Sequence, residues 1–365
     1  MYAVRRNIPK KRNRSTAIPR GKPHEKPPVD NAPAKAPDIP SGHGAFESLI
    51  PPLRRALAEE QYDRPTPIQE QAIPPLLRGR DILGSAQTGT GKTAAFVLPI
   101  LQNLSECRRK ALPGRPRVLI LAPTRELAAQ IGESVAAYGR HLRISKTVIF
   151  GGVKQHAQVG SLNRGKHIVV ATPGRLLDLM NQGHISLDAV ETFVLDEADR
   201  MLDMGFLPDI RRIIAKLPRE RRSLFFSATL PPEAVSLAKT IVRDPVEIAI
   251  APDTPAVEKI EQTVRFVDQR KKTELLLRML DGSQLDKVLV FTRMKHGANR
   301  IAKKLNTARI RAEAIHGNKS QASRTRSLDS FKKGRVRVLV ATDIAARGID
   351  VDRITHVINF DLPSE

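Results

Sequence analysis

Tryptophan is absent from the 365 residues and aromatic residues make up only 4%. That scarcity excludes recognition by a long row of stacked rings and favours contacts to a sugar-phosphate backbone. The one cysteine, Cys107, rules out an internal disulfide and a cysteine-built zinc site, and it fits a reducing compartment. No stretch reaches the roughly 20 apolar residues of a membrane span, and the N-terminus lacks the hydrophobic core of a secretory signal. The expected location is the cytoplasm. Acidic residues are the scarce charge, 38 against 61 basic, which leaves a formal charge of +23. A field of that sign attracts polyanions, so nucleic acid is the expected partner.

Residues 1–44 carry basic clusters such as Lys10-Lys11-Arg12, many prolines and almost no apolar periodicity. They cannot bury enough surface to offset their ordering entropy, and the expectation is a disordered arm. An RNA-attracting arm, a solubilising tail and an upstream extension all fit it. Residues 45–250 alternate short apolar runs with helix-patterned stretches, the signature of an α/β sheet covered on both faces. The runs include Val118–Leu121, Thr147–Phe150, Ile168–Val170, Phe193–Leu195 and Leu224–Phe226. A helix is expected after Arg125, where Leu127, Ile131 and Val135 recur at four-residue spacing. Residues 251–258, with Pro252 and Pro255, read as a linker. The alternation resumes over 259–365 with Val288–Phe291, a helix bearing Ala298, Ile301, Ala302 and Leu305, then Val338–Val340 and Val357–Phe360.

Two segments carry chemistry. Ala86-Gln87-Thr88-Gly89-Thr90-Gly91-Lys92-Thr93 follows a strand-like run and opens a helix, the order in which loop amides and a helix N-terminus cradle phosphate. Lys92 is expected to reach the β/γ phosphates of a nucleotide and Thr93 a Mg²⁺ ion. Ala86 stands where a first glycine is usual, which is tolerable if its φ stays negative. In Phe193-Val194-Leu195-Asp196-Glu197-Ala198-Asp199, acids emerge at the end of a buried strand, where parallel sheets place ligands. Such acids often only solvate a turn. With the phosphate loop upstream, Asp196 becomes the metal-side acid and Glu197 the candidate base for water attack.

The ordered motif set over Phe46–Glu365 closely resembles the DEAD-box RNA helicases, and within them the bacterial RhlE-like group, whose pattern His316-Gly317-Asn318 also fits. The resemblance implies two tandem RecA-like doubly wound parallel-sheet domains, the second incomplete, and an ATP-dependent RNA helicase acting by domain closure. It implies that Gln69 hydrogen-bonds the adenine edge and Tyr62 packs on its face, with Gln61 replacing a usual glycine. Ser227 and Thr229 of Ser227-Ala228-Thr229 would bridge to Asp199 and couple ATP state to strand separation. Thr124, Arg125, Gly152, Thr172 and Arg175 would grip RNA phosphates from the first domain, and Arg324 and Thr342 from the second. Asp350 would approach the ribose. Such contacts are sequence-tolerant. The ribosome and the RNA-degradation machinery are partners by resemblance alone.

The family pattern continues into a segment of the form His-Arg-x-Gly-Arg-x-x-Arg, whose arginines stabilise charge on the transferring phosphoryl group. The sequence stops at Glu365 before it. A second expectation follows, a non-hydrolysing ATP- and RNA-binding fragment with an unfinished second sheet.

Overall fold

Apolar runs with no polar alternation are suited to strands buried on both faces, and here they form one seven-stranded and one four-stranded sheet, all parallel in their recorded pairings. The computed structural model describes residues 42–87, 89–107, 109–250, 261–281, 285–342, 351 and 354–362. The expected linker, Thr88, Asp350 and nearly all of the expected arm lie outside them.

The first sheet is built from β1 (Ile82–Ser85), β2 (Val118–Leu121), β3 (Lys146–Ile149), β4 (Ile168–Ala171), β5 (Thr192–Leu195), β6 (Arg222–Ser227) and β7 (Val246–Ala249), in the order β3-β4-β2-β5-β6-β1-β7. Its helices are α1 (Pro51–Glu59), α2 (Pro67–Leu77), α3 (Lys92–Cys107), α4 (Arg125–Tyr138), α5 (Gln155–Asn163), α6 (Pro173–Asn181), α7 (Ala198–Asp203), α8 (Leu207–Ile214) and α9 (Pro232–Ile241). Successive residues of a strand serve opposite faces. In β2, Val118 and Ile120 enter the core that holds Phe96 and Phe226, while Leu119 and Leu121 enter the one that holds Phe193 and Phe225. Burying each of those phenylalanines is worth about 3–5 kcal/mol against alanine.

The order has one consequence for function. β5 and β6 are inserted between β2 and β1, so the loops leaving β5, β6 and β1 open side by side at the carboxyl end of the sheet. The register aligns Leu195 with Phe225 and Ser227 with Ser85. Asp81 fixes the opposite end of β1, its carboxylate accepting from the amides of Ser223 and Arg243 at 2.8 Å each.

The second sheet, β11-β8-β10-β9, is formed by β8 (Val288–Phe291), β9 (Ala312–Ile315), β10 (Val338–Ala341) and β11 (His356–Asn359), with α10 (Lys272–Leu280), α11 (Lys295–Thr307) and α12 (Gln321–Lys332). Ala298, Ile301, Ala302 and Leu305 are the buried residues of α11, as their spacing requires. Edge strand β11 leaves Val357 exposed. Among the described residues no helix is long and apolar enough to cross a membrane.

Gln61 adopts φ 61°, a left-handed conformation that costs a residue with a Cβ about 1–2 kcal/mol and glycine nothing steric. Gln61→Gly is therefore expected to raise unfolding free energy by about 0.5–1 kcal/mol, after the entropy that glycine adds to the unfolded chain. Urea denaturation checks this, and a loss of stability would contradict it.

Candidate nucleotide and nucleic-acid site

The loop after β1 turns on Gly89 and Gly91, both at positive φ (82° and 91°). A side chain at Gly91 would also run into the amide of Gln69. Ala86 is buried with no positive φ, as an alanine in place of the first glycine requires, and its N–H donates to the carbonyl of Ser227 at 3.0 Å. Lys92 is buried at the start of α3, where its Nζ donates to the carbonyl of Ala86 at 2.8 Å. Thr93 is in the first turn of the same helix. The loop amides and helix N-terminus thus share one end of the sheet with a lysine held close by.

Gln69 is placed by helix capping. Its Oε1 accepts from the Thr66 N–H at 2.9 Å, and its Nε2 donates to the carbonyl of Gly91 at 3.1 Å. The residue expected to read adenine is thus also the tie between α2 and the phosphate loop. Tyr62, just before α2, is exposed, its hydroxyl hydrogen-bonded with that of buried Tyr138 at 3.4 Å.

Asp196 leaves β5 with its carboxyl buried, and that burial pushes its pKa up to about 6 even though Lys92 pulls the other way. Glu197 follows at φ 53°, a strained left-handed geometry worth about 1–3 kcal/mol. Two contacts hold it there: its N–H donates to Asp196 Oδ1 at 3.0 Å, and Arg200 Nη1 donates to its Oε2 at 2.8 Å. Asp199 is the hub of a polar knot. Its Oδ2 accepts from the N–H and hydroxyl of Thr229 at 2.8 and 2.9 Å, while its own N–H donates to Ser227 Oγ at 3.1 Å. Burial would raise its pKa, but the Thr229 and Arg200 donors outweigh it and hold the carboxyl below the ordinary value. The structure therefore brings together the phosphate loop, Asp196, Glu197, Asp199, Ser227 and Thr229.

A second cluster joins the two sheets. Thr124 caps α4, its Oγ1 accepting from the Leu127 N–H at 3.2 Å. Gly152, at φ 80°, leaves room for the Arg125 guanidinium that a side chain there would strike. Glu126 on α4 accepts from Arg324 Nη2 at 2.9 Å, Arg324 Nε at 3.1 Å and Gln321 Nε2 at 3.2 Å, all from α12. Both sides of the ion pair are nearly buried, with 10% and 8% of the side chains exposed. Arg324, expected on RNA, is thus engaged with Glu126, a residue whose part the sequence did not reveal. Burial and neighbouring Arg324 lower the pKa of Arg125, with Glu126 opposing and Arg175 adding to the effect. Arg324 holds Glu126 directly, while the charges of Arg324 and Arg175 both act on neighbouring Arg125. Thr172 and Thr342 are buried at strand ends, and Arg175 pairs with Asp178 at 3.3 Å. His316 is buried with Nε2 on Asn299 Oδ1 at 3.0 Å, a structural placement.

Residues 66–237 match the DEAD/DEAH box helicase family, and residues 271–365 match the helicase conserved C-terminal domain. The chain is 41% identical over 318 residues to ATP-dependent RNA helicase DeaD of Escherichia coli (strain K12), covering 87% of this chain and 50% of that protein. It is 42% identical over 322 residues to DEAD-box ATP-dependent RNA helicase CshA of Bacillus cereus, covering 88% and 60%. It thus spans about half to three-fifths of these curated relatives. Among solved structures, S. cerevisiae Dbp5 bound to RNA and ADP BeF3 aligns with TM-score 0.76 at 31% identity, covering 88% of this chain and 82% of that one. A Dbp5 variant bound to Gle1 and IP6 aligns at 0.66, also at 31% identity, covering 89% and 81%. With identity and coverage nearly equal, the higher score means that this fold lies nearer the first. By its two matched domains and these relatives, the chain belongs to the DEAD/DEAH box helicase family.

Proposed function

We propose that the chain is an ATP-dependent RNA helicase, in which joint binding of ATP and RNA closes two domains over a hydrolysis site and distorts one RNA strand. The observation that carries this is the delivery, by neighbouring strands β5, β6 and β1, of acids, hydroxyls and a phosphate loop to one end of the sheet. Residues 45–250 act as the ATP-binding domain and 259–365 as the C-terminal helicase domain. Within the family we assign the chain to the RhlE-like group, on the motif set over Phe46–Glu365, which His316-Gly317-Asn318 also fits.

The donor set suits Mg²⁺: the buried carboxyl of Asp196 feels the charge of Lys92, which opens α3 immediately before the hydroxyl of Thr93. Mg²⁺ bound by these residues would neutralise charge on the phosphate oxygens. The loop amides and Lys92 orient the phosphates. Lys92 exchanges the Ala86 carbonyl for a phosphate oxygen. Arg200 fixes the carboxylate of Glu197, which takes the proton of attacking water. Tyr62, Gln69 and Asp350 hold the nucleoside, while Thr124, Arg125, Gly152, Thr172, Arg175 and Thr342 meet RNA phosphates. Arg324 serves closure by holding Glu126.

The knot at Asp199 links acid geometry to β6, and Ala86 links β6 back to the phosphate loop. Ser227→Ala/Thr229→Val takes from the Asp199 carboxylate the Thr229 hydroxyl bond, worth about 1.5–3 kcal/mol, and from the Asp199 N–H its acceptor on Ser227. The expected result is a 10- to 100-fold slower strand separation with ATP binding retained. Duplex-unwinding and RNA-stimulated ATPase assays on this chain test the reading. No RNA stimulation of ATP turnover in the unmodified chain would overturn it.

A further inference from the structure

The outer face of α12 and the loop carrying Gly151, Gly152 and Val153 form a groove of about 560 Å³ between the two sheets' domains. Its walls include Val153 from one side and Thr325, Arg326, Asp329, Lys333 and Arg335 from the other. Three cations therefore face one carboxylate. Among the described residues Arg326, Lys333 and Arg335 make no ion pair, whereas Arg115 and Arg117 of the first domain are neutralised by Asp188 and Glu191. Cations left unpaired around a concave surface attract polyanions, and Thr325 and Ser330 add hydroxyl donors for phosphate oxygens. The groove is also lined by Gln321, which bonds to Glu126 across the junction, and Val153 in its wall directly follows Gly152 in sequence.

We infer that this groove is an extension of the RNA track, taking the phosphates of single-stranded RNA beyond those held by the motif residues, through Arg326, Lys333 and Arg335. The inference rests on the RNA-binding reading above. The second domain supplies every cation and hydroxyl of the groove, and the first supplies Val153, beside the junction that the Glu126–Arg324 pair holds.

The test uses the 365-residue chain with a non-hydrolysable ATP analogue and oligouridylates of graded length. Affinity is expected to rise with length to a plateau. In Arg326→Gln/Lys333→Gln/Arg335→Gln, all exposed positions, the long-strand gain is lost, roughly a hundred-fold at moderate salt, and the slope of log affinity against log salt falls by about 2, at ~0.7 per phosphate. Short strands keep their affinity. Asp329→Asn moves the other way and tightens long strands several-fold. Equal weakening at every length, or none, would overturn the inference while leaving RNA binding in place. Displacement of long RNA by polyglutamate at equal charge would overturn it in favour of an acidic protein partner. If the unmodified chain binds no strand of any length, the RNA reading itself fails.

Discussion

Glu197→Gln is expected to lower RNA-stimulated ATP turnover by roughly a thousand-fold, within the range for loss of a positioned general base, while ATP binding stays within a few-fold. Glu197 is held in a left-handed backbone conformation by its own N–H on Asp196 and by Arg200 on its carboxylate. Such strain persists only where surrounding contacts enforce it, and here they hold a buried carboxylate in place. The amide preserves size and can still accept from Arg200 through its oxygen, but it cannot take a proton. Backbone and burial therefore survive, and the chemical step alone is lost. Single-turnover phosphate release and binding of a fluorescent ATP analogue separate the two effects. Unchanged turnover would remove Glu197 from the role of base, whereas lost analogue binding would show that the side chain shapes the nucleotide pocket instead. Arg200→Ala provides the control, because it frees the same carboxylate without neutralising it and should reduce turnover less.

Much of this site is legible in the sequence, for reasons that differ from residue to residue. β2 and β4 are continuous apolar runs, and both appear where the runs stand. The phosphate loop and the acids are local patterns whose spacing carries their chemistry, so their convergence needs only the strand order. β9 is different: Ala312-Glu313-Ala314-Ile315 has little β-branched character, and it becomes a strand because β10 pairs with it and α11 covers it. β7 likewise depends on pairing along β1. The Glu197–Arg200 contact could have been found from its i,i+3 spacing on a helix start. The Glu126–Arg324 contact could not, because 198 residues separate its partners and neither has a local pattern that names the other. Gln69 shows a further limit, since a side chain that satisfies a cap by sequence rule also bonds the phosphate loop through space.

Charge reversal in Glu126→Arg is expected to reduce RNA-stimulated turnover by about a hundred- to a thousand-fold. Breaking a nearly buried ion pair by removing one partner costs about 3–5 kcal/mol, most of it from the charge left without compensation. The site makes that penalty severe, because Arg125 already feels the like charge of Arg324, and Glu126 is the carboxylate that offsets it. Each domain has its own hydrophobic core, and none of those core residues belongs to the pair. The penalty therefore falls on closure rather than on folding. Unfolding midpoints should stay within a few degrees of the unmodified chain, while the RNA concentration needed for half-maximal stimulation rises steeply. The exchange Glu126→Arg/Arg324→Glu rebuilds an opposite-charge pair at the same place and should recover part of the loss, which a purely local packing role for Glu126 would not allow. Full activity in the single variant, or no recovery in the exchange, would mean that the pair does not govern closure. A fluorescence distance measured between labels on the two domains, with ATP analogue and RNA present, gives the direct readout: the single variant should remain open under conditions that close the unmodified chain.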